Sequence, residues 1–220
     1  MTEPRVLVGI VGYSPILDGY PLGPLLLRDL EAALAASPHV TVENFTWSPV
    51  HIVQRFETGE MARPDRVVLV GAAAVAREPG RVRAFRWRGG QLPEAELQER
   101  VYQAVTGIVD LENTLMIGSY FGAWPDACFT VEAALEPDLF GRMVLAESEG
   151  WATEQELARH LGYSPMAVRR EMVRQATAIA TRGAAADLPL LDKAADSLAP
   201  LRPFAEHHAL KKAALGQETG

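Results

Sequence analysis

Apolar residues come in two periods along this chain. Val6-Leu7-Val8-Gly9-Ile10-Val11 is a short, unbroken, β-branched run of the kind that forms a strand buried on both faces of a parallel sheet. A loop rich in Gly, Pro and Tyr follows from Gly12 to Gly23. Pro24 then suits the first turn of a helix whose inner face carries Leu26, Leu30, Ala33 and Leu34 and which stops near Ser37-Pro38. Val40-Thr41-Val42 reads as a second strand. Ser48-Pro49 starts a second helix, with Val50, Val53 and Phe56 at helical spacing. Arg66-Val67-Val68-Leu69-Val70 is a third buried strand, and Arg81 to Trp87 an exposed or edge strand after the Pro79-Gly80 turn. Leu92-Pro93 opens a helix with Leu97, Val101, Ala104 and Ile108 inward. Thr114-Leu115-Met116-Ile117-Gly118 reads as another strand.

This alternation predicts an α/β fold, a mostly parallel sheet with helices on both faces. Ligand sites in such sheets lie at the carboxyl ends of strands, which directs attention to the segments 12–23, 43–47 and 71–76. Beyond about residue 128 the pattern is helical only. The expected organisation is an α/β domain over 1–150, a helical hairpin over 151–183 and an Ala/Pro-rich tail over 184–220, with helical signal around 190–198 and 205–215.

Composition narrows the classes. In 220 residues, 48% are apolar and 22% charged, enough for a real core in an ordinary soluble chain. The net charge of −7 argues against a nucleic-acid surface spread over the whole molecule. The single cysteine, Cys128, excludes an internal disulfide and reads as a buried, inert thiol. No apolar run reaches the ~18 residues a membrane span needs. The first residues carry no signal-type core, so the expected location is the cytoplasm.

Three segments, in order, resemble the NiFe-hydrogenase maturation endopeptidases. That family opens with a strand and a Gly-Asn…Asp-(Asp/Glu)-Gly…Gly loop; here Gly12, Asp18 and Gly23 fit, with about one extra residue before Gly23. Its second segment, a strand followed by Asp-Gly-Gly-Thr, corresponds to Val40 through Thr46, with Glu43 for the aspartate and Thr46 kept. Its third, an apolar strand ending in Asp-Ala followed by a loop that closes on Pro-Gly and a small-plus-Val pair, corresponds to Val67-Val68-Leu69-Val70-Gly71-Ala72 and Pro79-Gly80-Arg81-Val82. Ile117-Gly118 and Val131 to Leu135 look like the last core strand and helix of the family. The resemblance covers about residues 5 to 145. It implies a phosphorylase/hydrolase-like sheet, a metal-dependent peptidase ancestry and a role in hydrogenase maturation, with the hydrogenase large subunit or another assembly protein as partner.

The ligands that the resemblance implies for nickel are missing. The first position falls at Gly19 or Tyr20, the second at Gly71, the third near Pro93, and no histidine lies between His51 and His160. Nickel is therefore expected only if Asp18, Glu43 and His51 rebuild a site at the sheet edge. Ser14 and Ser48 precede prolines, outside any Gly-x-Ser-x-Gly turn, so neither makes a nucleophile elbow. The expectation is a pseudoenzyme whose nickel-guided C-terminal cleavage is lost or altered, with an active endopeptidase of rearranged ligands as its rival.

Residues 153–172 resemble a helix-turn-helix: Thr153 with Glu156 as a capping box, Gly162 as stop, Ser164-Pro165 as the second start. One reading presents Arg169, Arg170 and Arg174 to DNA, as in a regulator. The other is a packed helical hairpin. Over 154–182 five arginines face three glutamates, a net of +2, which is thin for phosphate binding.

Overall fold

The computed structural model describes residues 3–46, 48–74, 78–106, 109–149 and 154–201. The strands are β1 (Val6–Val11), β2 (Val40–Phe45), β3 (Arg66–Ala72), β4 (Val82–Trp87), β5 (Cys128–Ala133) and β6 (Leu190–Lys193). They form one six-stranded sheet in the order β2-β1-β3-β5-β4-β6. β1, β2, β3 and β5 are parallel neighbours. β4 runs antiparallel to β5, and β6 runs parallel to β4. The fold is thus α/β with a mostly parallel sheet, as the alternation predicts.

Helices cover both faces, and strand alternation decides which residue meets which layer. Val6, Val8 and Ile10, with Val68, Val70, Phe129 and Val131, pack under α1 (Pro24–Leu34), α5 (Leu139–Glu149) and α7 (Pro165–Arg182). Leu7, Val11, Val67, Leu69 and Cys128 pack under α2 (Pro49–Glu57), α3 (Glu94–Val105) and α4 (Leu111–Tyr120). Gly9 is needed where it stands, because a Cβ there would overlap the Phe45 ring.

Four expectations change. Residues 114–118 are not a strand but the middle of α4, which begins where the Asp110 side chain accepts from the Asn113 amide at 2.6 Å. Eight consecutive residues, Leu111 to Gly118, are buried, Glu112, Asn113 and Thr114 among them, so the polar positions do not mark a solvent face and the helical period is hidden. Gly118 admits the Trp124 ring, whose Nε1 donates to the Thr114 and Leu115 carbonyls, both at 3.1 Å. Conversely, Val131 to Ala133 end strand β5 and do not open a helix. β4 is not an edge strand, since β6 pairs along its outer side. The helix-only character beyond residue 128 fails for the same two strands.

The expected hairpin does not stand apart. α6 (Glu154–Leu161) and α7 follow each other as read, with Ser164 Oγ accepting from the Ala167 amide at 3.1 Å. Yet Val168, Met172, Ala176, Ile179 and Ala180 belong to the same core as β1, β3 and β5. Arg66, at the start of β3, donates to the carbonyls of Ile179 at 3.3 Å and Ala180 at 2.8 Å, holding the end of α7 to the sheet. Among the described residues of the expected hairpin and tail, α7 and β6 are thus part of the α/β layer structure. Thr153, Ala76 and the segment 205–215 lie outside the described residues. Among those described, no helix is long and apolar enough to cross a membrane.

Candidate functional site

The sheet brings the three family-like segments to one rim. Val11 lies opposite Phe45 and Ile10 opposite Val70, so the first loop and the ends of β2 and β3 are neighbours. The residues proposed to rebuild a metal site are nonetheless not gathered there. Asp18 is exposed and pairs with Arg28 on α1 at 3.4 Å. Glu43 lies 3.7 Å from Arg55 on α2. His51 sits in the first turn of α2, its amide donating to the Ser48 carbonyl at 2.9 Å. Among the described residues no group of three His, Cys, Asp or Glu side chains is placed to hold a metal ion.

Of the positions where the resemblance would place nickel ligands, Gly71, Gly19 and Tyr20 pack against neighbours and Pro93 does not. A Cβ on Gly71 would sit 3.3 Å from the Leu111 Cβ and 3.3 Å from the Val11 carbonyl oxygen, so a side chain there would crowd α4 and β1. A Cβ on Gly19 would touch the Met143 terminal methyl at 3.6 Å. Tyr20 meets Phe140 edge-on with ring centroids 5.4 Å apart, and burial pushes its phenol above the ordinary value. Pro93 is exposed and precedes α3. Nickel does not fit this donor set. Cys128 is buried on β5, and burial pushes its thiol up, away from reactivity.

The arginines read as DNA contacts also separate. Arg169 is buried and its Nε donates to Asp29 on α1 at 2.9 Å, which makes it a brace between helices. Arg174 grips Glu171 one turn back at 2.6 and 2.7 Å, raising its own pKa and holding the Glu171 carboxyl below the usual range. Arg170 is exposed and turned toward the Met166 sulfur at 3.2 Å. They do not make one cationic face.

The concentration of buried charge lies elsewhere, on the α3/α4 side of the sheet. Glu132 on β5, Glu112 in the first turn of α4 and Lys193 ending β6 are all buried. Lys193 Nζ donates to both Glu132 oxygens at 3.0 Å and lies 3.1 Å from Glu112 Oε1. Thr130 Oγ1 donates to Glu132 Oε1 at 2.7 Å, and the Ala199 amide donates to Glu112 Oε2 at 3.0 Å. The Phe85 ring lies under the ammonium, 5.6 Å from its centroid. Behind Glu112, the fully buried Arg100 donates to Asn113 Oδ1 at 3.1 Å and to the Ala199 carbonyl at 2.9 Å. Arg100 Nε and Asn113 Nδ2 stay buried without a hydrogen-bond partner. The three charged residues line a cavity of about 480 Å³ whose mouth carries Glu78, Arg81, Arg83 and Asp192.

Asp110, the cap of α4, shares this environment. Burial pushes its carboxyl above the ordinary value, and the charge of Glu112 acts in the same direction, against the hydrogen bond from the Asn113 amide. A raised folded value means that the folded state keeps this proton where the unfolded chain has lost it. The stability it contributes is complete below the unfolded value and is lost as pH rises through the folded one. Asp110→Asn, which keeps a capping oxygen, is therefore expected to leave stability at neutral pH unchanged or higher. It should also flatten the rise in stability on mild acidification, as followed by urea unfolding across pH.

None of these residues was singled out by sequence reading, although one signal was available. A glutamate in the otherwise apolar run Cys128–Leu135 needs a buried partner in any secondary structure. Its partner, Lys193, is 61 residues away, beyond the reach of local pattern. The chain matches no protein-family model, and no curated protein matches it.

Proposed function

We propose that this protein is a divergent relative of the NiFe-hydrogenase maturation endopeptidases that acts in hydrogenase assembly by binding. Its partner would be the large subunit or another assembly component, without the nickel-guided cleavage of that family. The observation that carries this reading is the contact of Leu111 on Gly71. At the end of β3, where the family has an aspartate, this chain has no side chain, and Leu111 of α4 leaves little room for one. A cleavage that depends on a bound metal to position the scissile segment loses that positioning when none of the ligand positions carries a carboxylate or imidazole donor and two of them are packed against neighbouring residues. The family-like loops still stand side by side at one rim, which supports retention of a protein-binding face. The dispersal of Arg169, Arg170 and Arg174 gives the DNA-binding alternative less support.

The test is to mix the purified protein with a purified hydrogenase large-subunit precursor that carries its C-terminal extension. Size-exclusion chromatography and intact mass are then read together. The expected result is co-elution with unchanged precursor mass, with or without nickel. Loss of the extension's mass would overturn the non-cleaving reading, and failure to co-elute would overturn the assignment of the partner.

A further inference from the structure

The cavity beside Lys193 has two poles. Its inner wall holds two buried carboxylates, Glu112 and Glu132, and one buried ammonium. The three N–H groups of Lys193 face Glu132 Oε1 and Oε2 at 3.0 Å and Glu112 Oε1 at 3.1 Å, so its donors are fully used. Among the described residues these three groups carry one net negative charge, in a place where water does little to screen it, and the Arg100 guanidinium behind Glu112 is matched by Glu96 at 3.1 Å. At the mouth the sign reverses. Among the described residues Arg81 and Arg83 share one carboxylate, Glu78, with Arg83 Nη2 at 3.0 Å from Glu78 Oε2. The β4–β5 register sets Arg83 directly opposite Glu132. Opposed residues of an antiparallel pair lie on the same face of the sheet, so the cationic pole stands one strand away from the anionic one. The lining also includes the apolar residues Phe85, Ala134, Leu198 and Pro200.

We infer that this cavity binds a free α-amino acid with an apolar side chain: its ammonium at Glu112 and Glu132, its carboxylate at Arg81 and Arg83, its side chain along Phe85 and Leu198. The observations match each part of that ligand. A buried pair of carboxylates short of one cation accepts an ammonium that brings three donors. Two guanidinium groups sharing one glutamate have donors left for a second carboxylate. About 480 Å³ is in the range of small-molecule sites. A brace for β6 alone would need only one carboxylate for the lysine, and apolar residues of similar volume would hold it at least as well. The inference is independent of the proposed role in hydrogenase assembly.

The full-length protein is titrated by calorimetry with L-leucine, L-methionine and L-phenylalanine, and in parallel with N-acetyl-L-leucine, which lacks the ammonium, and isoamylamine, which lacks the carboxylate. At least one of the amino acids is expected to bind saturably, with both leucine analogues about tenfold weaker than L-leucine or worse, a difference of ~1.4 kcal/mol. Arg83→Gln changes a partly exposed side chain on a strand whose backbone pairing is intact. It should weaken amino-acid binding by about tenfold while leaving the thermal midpoint of the free protein in place. Glu112→Gln should act in the same direction on binding, although it also loosens the contact with Ala199. The inference is overturned if none of the three amino acids gives saturable heat up to about 10 mM. It is equally overturned if N-acetyl-L-leucine binds as well as L-leucine, or if Arg83→Gln leaves affinity unchanged.

Discussion

Lys193→Met is expected to destabilise the protein by about 3–5 kcal/mol, because it strands two buried carboxylates that now share one ammonium. The lysine is the only cation within salt-bridge distance of Glu132 among the described residues. Its removal leaves Glu132 with the Thr130 hydroxyl alone and Glu112 with the Ala199 amide. The effect should appear as a lower urea midpoint at unchanged m-value. The double variant Lys193→Met/Glu132→Gln is expected to recover part of the loss, since a neutral amide in that place costs less to bury than an unpaired charge. A positive coupling energy in the cycle formed with the two single variants would establish that the pair acts as a unit. If Lys193→Met unfolds at the same midpoint as the parent protein, the buried trio is not an energetic element of the fold.

The second large effect concerns α7. A chain ending at residue 150 corresponds to the α/β domain that sequence pattern marks out, and it is expected not to fold. It lacks Val168, Met172, Ala176, Ile179 and Ala180, the layer that closes the face of β1, β3 and β5. It also lacks β6, which shields the outer side of β4. The truncated chain should bind a hydrophobic dye and show no cooperative thermal transition, as in states that keep secondary structure without fixed packing. A milder version of the same test is Met172→Ala in the full chain. Met172 is completely buried in the centre of α7, and its loss should cost about 2–5 kcal/mol. A cooperatively folding 1–150 fragment would restore the view of a self-sufficient domain followed by an appended hairpin.

These two results bear on what a linear reading of the chain can reach. The first half was legible because its signals are local. β1, β2 and β3 are short β-branched runs, and α1 and α2 start at prolines and carry one apolar face. α4 was misread because its polar residues Glu112, Asn113 and Thr114 are buried and sit together in its first turn, so they do not form a stripe along one solvent face. What remained visible was Thr114-Leu115-Met116-Ile117, which is equally consistent with a strand. β5 was misread in the opposite sense, since the resemblance sets Val131 to Leu135 where the family has its last helix, whereas Cys128–Ala133 is a strand buried on both faces. α7 reads as one arm of a hairpin because its partner surface is the sheet, more than 90 residues upstream at β3. Of the site, the degenerate positions Gly19, Tyr20, Gly71 and Pro93 could be located by resemblance. That Leu111 packs onto Gly71 could not, since this depends on where α4 lies across the rim.

Among the described residues, the strand that completes the sheet is also the last to be synthesised. β4 is synthesised a hundred residues before β6 can reach it, since Ala84 waits for Leu190 and Trp87 for Lys193. During that interval β4 offers a row of bare amides and carbonyls to any passing extended segment, and Glu132 waits without its counter-charge. Sequence-distant pairings of this sort form slowly and leave a nascent chain open to mispairing. The vulnerable period in the life of this protein is therefore its own translation, and a pause between codons 135 and 190 would lengthen it.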